Sequence, residues 1–264
     1  MLAGPPNDSV VIPEALARLI DGRPYEAVWL NGIGGWTVRV EEVASSVFVK
    51  WAPRSFGDDL ANEIERLRWA STRLRVPIVL DSGSNDDGSW FFSRDLHGES
   101  AVSAKWQLDP VTASTAIGRG LRALHDTLDV DSCPFEWSLP GRRRGVEQRF
   151  HEGLLRDHVF GWELEGLRIG DAMDELRETP DDDLVVCHGD ACAPNTLLDD
   201  TGAWTAHTDL GRLGVGDRWA DLAVASWSTV WNYGPGWEAT VYDAYEIEPN
   251  VPKIRYYRLL WDLE

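Results

Sequence analysis

The sequence predicts an α+β protein of two lobes: a small antiparallel β lobe with one helix over residues 1–95, followed by a larger, mainly helical lobe over residues 96–264. Three observations point to it. β-Branched and aromatic residues cluster around glycines in the first part of the chain, and helical periodicity takes over past Leu96-His97-Gly98. One short stretch, VVCHGDACAPNTLLDD at 185–200, then interrupts the helical part and reads as a hairpin of two apolar strands around a polar loop. At 264 residues and 43% hydrophobic content the chain is long enough to bury a core in one large domain or two lobes.

Taken in order, residues 27–40 and 47–51 have the texture of antiparallel strands joined by a turn at Gly32, Gly34 and Gly35. In residues 58–74, DDLANEIERLRWASTRL, the residues Leu60, Ile64, Leu67 and Leu74 recur at helical intervals between charges, predicting an amphipathic helix. Strand character returns at 76–80 and 90–93 around the loop DSGSNDDGS. Residues 111–124 read as a helix, 151–155 lead towards another over 169–176, and one more begins near Trp219. The basic patch Arg142-Arg143-Arg144 reads as a solvated turn. There is no internal repeat and no low-complexity linker.

Composition excludes several classes. No run approaches the roughly 18 apolar residues of a membrane span, and the opening MLAGPPNDSVVIPE lacks the basic start and apolar stretch of a secretory signal, so a cytoplasmic protein without membrane partners is expected. Cys133, Cys187 and Cys192 are too few and too irregular for a disulfide framework or a zinc site and are expected as reduced thiols. With 25 basic against 44 acidic residues the formal net charge is −19, which opposes nucleic-acid binding because phosphate contacts need a cationic face.

The stretch 185–200 carries the chemistry. Gly189 and Pro194 shape a loop that holds Asp190 and Asn195 on one side, and fourteen residues after Asn195 comes Thr208-Asp209-Leu210-Gly211-Arg212. Kinases organise phosphoryl transfer in this pattern, because a carboxylate must accept the attacking hydroxyl's proton while an Asn oxygen and a second carboxylate hold Mg²⁺ on the phosphates. Asp190 is therefore the candidate base, and Asn195 and Asp209 are the candidate metal ligands. The same chemistry asks for a strand lysine oriented by a helix glutamate, which Lys50 and Glu63 supply, and the turn with Gly32, Gly34 and Gly35 can lie over phosphates. His188 is expected to brace the loop, and Asp217 and Asp221 to cap or anchor the helix that follows.

VVCHGDACAPN, TDLGRLGVGDRWADLA, LANEIERLRW, LRALHDTLDVDSCPF and KIRYYRLLWDLE together resemble the aminoglycoside 3'-phosphotransferase family, antibiotic kinases with a protein-kinase-like fold, over nearly the whole chain. The resemblance implies ATP or GTP as donor, two Mg²⁺, and a hinge around Ser93, Asp95 and Leu96 that reads the purine by its backbone. It further implies that an acceptor meets Arg212, Trp227, Trp231, Glu163, Asp262 and Glu264.

The sequence departs from the family where polycationic acceptors bind. Ser228 and Trp231 stand at positions expected to be acidic, Gly161 and Trp162 lie near two more, and Glu264 stands where an aromatic is usual, while Asp262, Glu163 and Glu165 remain. Fourteen tryptophans accompany that loss, with Trp227 and Trp231 one helical turn apart and Trp237 soon after. Such a pair serves either as core or as a stacking surface for a sugar-like acceptor. The expected activity is a Mg²⁺-dependent phosphotransferase acting on a hydroxyl of an aminoglycoside-like, nucleoside or other glycosylated antibiotic. The rivals are a metabolic sugar or amino-alcohol kinase and a nucleotide-binding pseudokinase, and the latter would need a broken catalytic set.

Overall fold

A computed structural model describes residues 4, 6, 11–32, 34–42, 46–54 and 58–264, without the side chains of residues 58, 59 and 162. Ile33 of the glycine turn and the Trp162 side chain thus lie outside the described residues. The chain divides into two compact units, Met1–His97 and Gly98–Glu264. None of the described helices is long and apolar enough to cross a membrane.

The first unit holds α1 (Glu14–Ile20), β1 (Tyr25–Leu30), β2 (Trp36–Glu41), β3 (Ser46–Pro53), α2 (Asp58–Ala70), β4 (Val79–Ser84) and β5 (Gly88–Arg94). The strands form one antiparallel sheet in the order β1-β2-β3-β5-β4. Alternation divides its faces. Val38 and Val40 of β2 and Val47, Val49 and Trp51 of β3 pack in one core with Leu16 and Ile20 of α1. Lys50, one residue out of phase, projects from the opposite face and meets Glu63 of α2. Leu60, Glu63, Leu67 and Ala70 are all buried and recur at three- and four-residue intervals, so this helix carries its glutamate on its inner face.

The second unit contains β6 (Glu99–Ser100), α3 (Ala104–Gln107), α4 (Pro110–Thr127), α5 (Leu139–His151), α6 (Ile169–Glu175), β7 (Leu184–Cys187), β8 (Thr196–Leu198), β9 (Trp204–His207), β10 (Gly214–Asp217), α7 (Arg218–Tyr233), α8 (Glu238–Tyr245) and α9 (Val251–Leu263). Its core joins the apolar faces of α4, α7, α8 and α9, with Leu121, Trp227, Tyr245 and Tyr257 among the most deeply buried side chains. Two small sheets lie on that helical body, β7 with β10 and β8 between β6 and β9.

Several expectations need correction. The two apolar pieces at 184–187 and 196–198 are strands but not a hairpin, since β7 pairs with β10 whereas β8 pairs with β6 and β9. Arg142-Arg143-Arg144 lies inside α5 rather than in a solvated turn, and Arg142 is only 8% exposed. α2 ends at Ala70, four residues early, where the Ser71 and Thr72 hydroxyls donate to the carbonyls of Arg68 and Trp69 and compete with helical bonding. β4 starts at Val79 rather than residue 76, beyond Pro77, which has no N–H to give a ladder. α1 was not foreseen because its seven residues are too few to display a helical period, although Leu16 and Ile20 are buried by it.

The start of α7 hangs on one buried carboxylate. Asp217 accepts from the Trp219 backbone N–H at 2.8 Å, from the Asp183 N–H at 3.0 Å and from Lys253 Nζ of α9 at 2.6 Å. Removing one member of a buried pair strands the other. Asp217→Ala is therefore expected to lower the free energy of unfolding by about 3–5 kcal/mol in urea denaturation, and adding Lys253→Met to Asp217→Ala should recover part of that loss.

Candidate active site

The loop after β7 is cross-braced from within. Asn195 Nδ2 donates to the Asp190 carbonyl at 2.9 Å and to Asp190 Oδ2 at 3.3 Å, a return made possible by the 3₁₀ turn Ala193–Asn195 with Pro194 inside it. Cys192 Sγ donates to Asp190 Oδ1 at 3.1 Å. Burial and the neighbouring Asp190 carboxylate push that thiol well above its usual range, so it stays protonated and serves as a donor. The four-residue spacing between Asp190 and Asn195 is thus the span of a closed loop.

From beneath, buried polar groups hold the loop to the helical body. Asp221 of α7, 1% exposed, accepts the backbone N–H of His188 at 2.5 Å and of Gly189 at 2.9 Å, and His125 Nε2 of α4 at 3.0 Å. Burial alone would push this carboxyl up, but the hydrogen bond and charge of His125, with the Gly189 N–H, hold it below the usual carboxylate range. His188 braces the loop as expected: its Nδ1 accepts from the Asp190 N–H at 3.2 Å and its Nε2 donates to the Thr208 carbonyl at 3.0 Å, which fixes the Nε2-protonated tautomer. Gly189 has φ +86°, and a Cβ there would lie 2.4 Å from the Arg212 carbonyl oxygen, so no other residue fits this corner.

Asp209 reaches the same place by strand pairing. Thr196 of β8 pairs with His207 of β9, and the Thr208 N–H donates to the Asn195 carbonyl at 2.9 Å, so Asn195 and Asp209 sit at one end of neighbouring strands. Asp209 has φ +61°, a left-handed turn that Asp tolerates and that ends the strand direction. With its amide nitrogen held by Asp190, Asn195 keeps Oδ1 for a ligand, and an amide oxygen beside a carboxylate suits a hard divalent cation such as Mg²⁺. His125, Cys187 and Asp221 also bring one ligand atom each within 4.8 Å of one another, but these atoms are already hydrogen-bonded, Cys187 Sγ to the Asp217 carbonyl, so the cluster is an anchor for the loop.

In the first unit, Lys50 Nζ and Glu63 Oε2 are 2.6 Å apart with the glutamate side chain 5% exposed. The turn between β1 and β2 is closed by Asn31, whose Oδ1 accepts the Gly35 N–H at 2.6 Å and whose N–H donates to the Gly35 carbonyl at 2.9 Å, while Gly34 has φ +88°. Gly32 lies in the same turn. Ser93 is buried on β5, Asp95 pairs with Arg39 at 3.0 Å, and Leu96 follows half-buried.

The acceptor-side residues are held differently from the expectation. Trp227 is 2% exposed inside the helical core, so its indole has no free face for a ligand, which corrects its reading as an acceptor contact. Trp231 is half-buried and stacks on Trp261 of α9 with centroids 5.1 Å apart and 29° between planes. Three of the acids have a cationic or hydrogen-bonding partner: Glu163 with Arg258 at 2.7 Å, Asp262 with His158 at 3.0 Å and Glu264 with Arg142 at 2.7 Å, while Glu165 is exposed. Arg212 is exposed, with its guanidinium over the Trp137 ring at 5.6 Å. Sequence reasoning did not foresee that Ser228 is itself a loop anchor: fully buried on α7, its Oγ accepts the Ala193 N–H at 2.8 Å.

Residues 31–257 match the phosphotransferase enzyme family. An aminoglycoside 3'-phosphotransferase of Streptomyces ribosidificus is 34% identical over 206 residues, 73% of this chain and 75% of its own. Among solved structures, an aminoglycoside-3'-phosphotransferase of type VIII aligns with a TM-score of 0.80 at 29% identity, covering 96% of this chain and 99% of that one. An aminoglycoside phosphotransferase from Streptomyces rimosus in complex with ADP and streptomycin aligns with a TM-score of 0.73 at 25% identity over 96% and 99% of the two chains. A match that runs from the glycine turn into α9, together with a fold shared end to end, makes this chain a member of the aminoglycoside phosphotransferase family.

Proposed function

We propose that the protein inactivates an antibiotic by moving the γ-phosphate of ATP or GTP to one of its hydroxyls, with Mg²⁺ as cofactor, in the cytoplasm. The observation that carries this reading is the closed loop in which Asn195 holds both the backbone and the carboxylate of Asp190, with Asp209 at the end of the paired strand. Asp190 takes the proton of the acceptor hydroxyl on its carboxylate. Fixed by Asn195 and Cys192, that carboxylate needs no rearrangement when the acceptor arrives. Asn195 Oδ1 and the Asp209 carboxylate would hold the metal, which when bound would offset phosphate charge. The unit Met1–His97 binds the nucleotide: Lys50, oriented by Glu63, meets its phosphates, the turn with Gly32, Gly34 and Gly35 covers them, and Ser93, Asp95 and Leu96 face the purine. The unit Gly98–Glu264 takes the acceptor.

The relatives act on aminoglycosides by name, and an aminoglycoside-like or other glycosylated acceptor follows for this chain. Its charge should be lower than theirs. Glu163, Asp262 and Glu264 are engaged by Arg258, His158 and Arg142, and Trp231 stacks on Trp261 where acids are expected. An indole face receives a sugar ring better than an ammonium group surrounded by water.

Four outcomes are expected. Asp190→Asn keeps nucleotide binding and lowers turnover by at least ~10²-fold, the usual scale of a positioned base; turnover within a few-fold of wild type removes Asp190 from that role. Asp209→Ala abolishes transfer and makes nucleotide affinity insensitive to Mg²⁺ in calorimetric titration, whereas retained Mg²⁺ dependence assigns the metal elsewhere. In a panel of antibiotics incubated with each nucleotide and Mg²⁺ and read by mass spectrometry, a weakly cationic glycosylated or nucleoside antibiotic gains one phosphate faster than kanamycin. Loss of several exposed ammonium contacts of about 0.2–1 kcal/mol each amounts to an order of magnitude or more in affinity. Trp231→Ala raises KM for the preferred acceptor. Fast, salt-sensitive phosphorylation of kanamycin with KM unchanged in Trp231→Ala overturns the acceptor reading, and no phosphate on any member of the panel overturns the function.

A further inference from the structure

In a chain with a formal net charge of −19, four arginines converge on one groove. Arg142, Arg144 and Arg149 of α5 and Arg212, three residues after Asp209, line an open groove of about 470 Å³ with Trp137, and among the described lining residues Glu136 and Glu264 are the acidic ones. Arg142 is the fixed part. It is 8% exposed, its Nε and Nη2 donate to the two carboxylate oxygens of Glu264 at 2.7 and 3.1 Å, and its guanidinium lies over Trp137 at 4.7 Å. Arg149 donates to the Glu264 backbone oxygen at 2.8 Å, so Arg142 and Arg149 are both engaged by Glu264. The exposed guanidinium groups of Arg144 and Arg212, set against the one carboxylate of Glu136, leave the groove net cationic.

The helix itself makes room for an occupant. Gly141 and Gly145 line the groove one turn apart, on the same face as Arg149. Glycine inside a helix costs about 0.5–1 kcal/mol relative to alanine, and at Gly145 no packing reason accounts for it: a Cβ there would meet nothing within 4 Å. Side-chain volume has been left out along a surface lined with guanidinium groups. The groove also begins beside the catalytic loop, because the Arg212 backbone lies against Gly189, next to Asp190.

We propose that this groove is an oxyanion-binding subsite, and that the group it takes is a phosphate or carboxylate carried by the acceptor. Guanidinium forks match both groups in geometry, and the aromatic Trp137 under Arg142 and Arg212 keeps the forks oriented. The acceptor half rests on the phosphotransferase reading; the oxyanion half does not.

The test titrates inorganic phosphate, at constant ionic strength, into the full chain saturated with ADP, followed by ³¹P NMR. One saturable phosphate site is expected, weakened at least tenfold by Arg144→Gln and by Gly145→Glu, which adds a negative charge at a position whose Cβ meets open space, while ADP affinity stays that of the wild type in both. Absence of saturable binding, or binding equal in wild type and both variants, overturns the site. Inorganic phosphate should also inhibit transfer to the antibiotic turned over fastest in the panel, competitively with that antibiotic, and Arg144→Gln should relieve the inhibition. Saturable binding with inhibition that is not competitive overturns the acceptor assignment, and because the titration needs no turnover, failure of the phosphotransferase reading leaves its outcome distinct.

Discussion

The carboxylate of Asp221 is the constraint on which the site depends. It lies almost fully buried, and a buried charge is tolerated only when paired and fully hydrogen-bonded. The protein meets that demand with two consecutive backbone N–H groups from the loop after β7 and the His125 ring, itself held by the Tyr245 hydroxyl at 2.7 Å. Each of these donors is thereby fixed. Charge-assisted bonds of this kind are short and strong, and in the low dielectric of the core they leave the loop one arrangement. The corner at Gly189 follows, because turning two successive N–H groups inward needs a positive φ and brings the backbone against Arg212.

From that anchor the remaining geometry is propagated by short links. His188 passes the constraint to the strand end at Thr208, and Ser228, two turns along α7 from Asp221, fixes the far side of the loop through Ala193. Asp190 and Asn195 are then clamped between two points on one helix. The same helix carries Trp231 one turn further on, so the acceptor-side aromatic stack is tied to the loop through a rigid element and not through a surface segment. Glu163 and Glu264 are paired within the chain with Arg258 and Arg142, and the proposed preference for a less cationic acceptor and the proposed arginine groove both rest on these pairs.

Much of this was legible in the sequence because it is local. The spacing of Asp190, Asn195 and Asp209 reports a closed loop and a strand return, and the intervals of Leu60, Ile64 and Leu67 report the helix α2, although Glu63 rather than Ile64 is the residue buried on its inner face and Leu74 lies beyond its end. What was not legible is set by partners distant in the chain. Trp227 and Trp231 look alike in sequence, yet one is in the core and the other at its edge, because helix rotation is decided by packing against α9. Arg258 pairs with Glu163 from 95 positions away and Arg142 with Glu264 from 122, and no periodicity announces either contact. Ser228 reads as a missing acid in alignment, whereas its hydroxyl has a structural task that only the fold displays. β7 and β8 read as a hairpin because their separation allows one, and the sheet order excludes it.

The claim that buried hydrogen bonds from α7 hold the catalytic loop is tested most directly by amide hydrogen exchange at His188, Gly189 and Ala193. These three N–H groups donate to Asp221 and Ser228, and the account predicts that they exchange only through openings as costly as those that release the interior amides of α7, despite lying in a loop. Exchange at the rate of exposed loop amides, with α7 still protected, would contradict it.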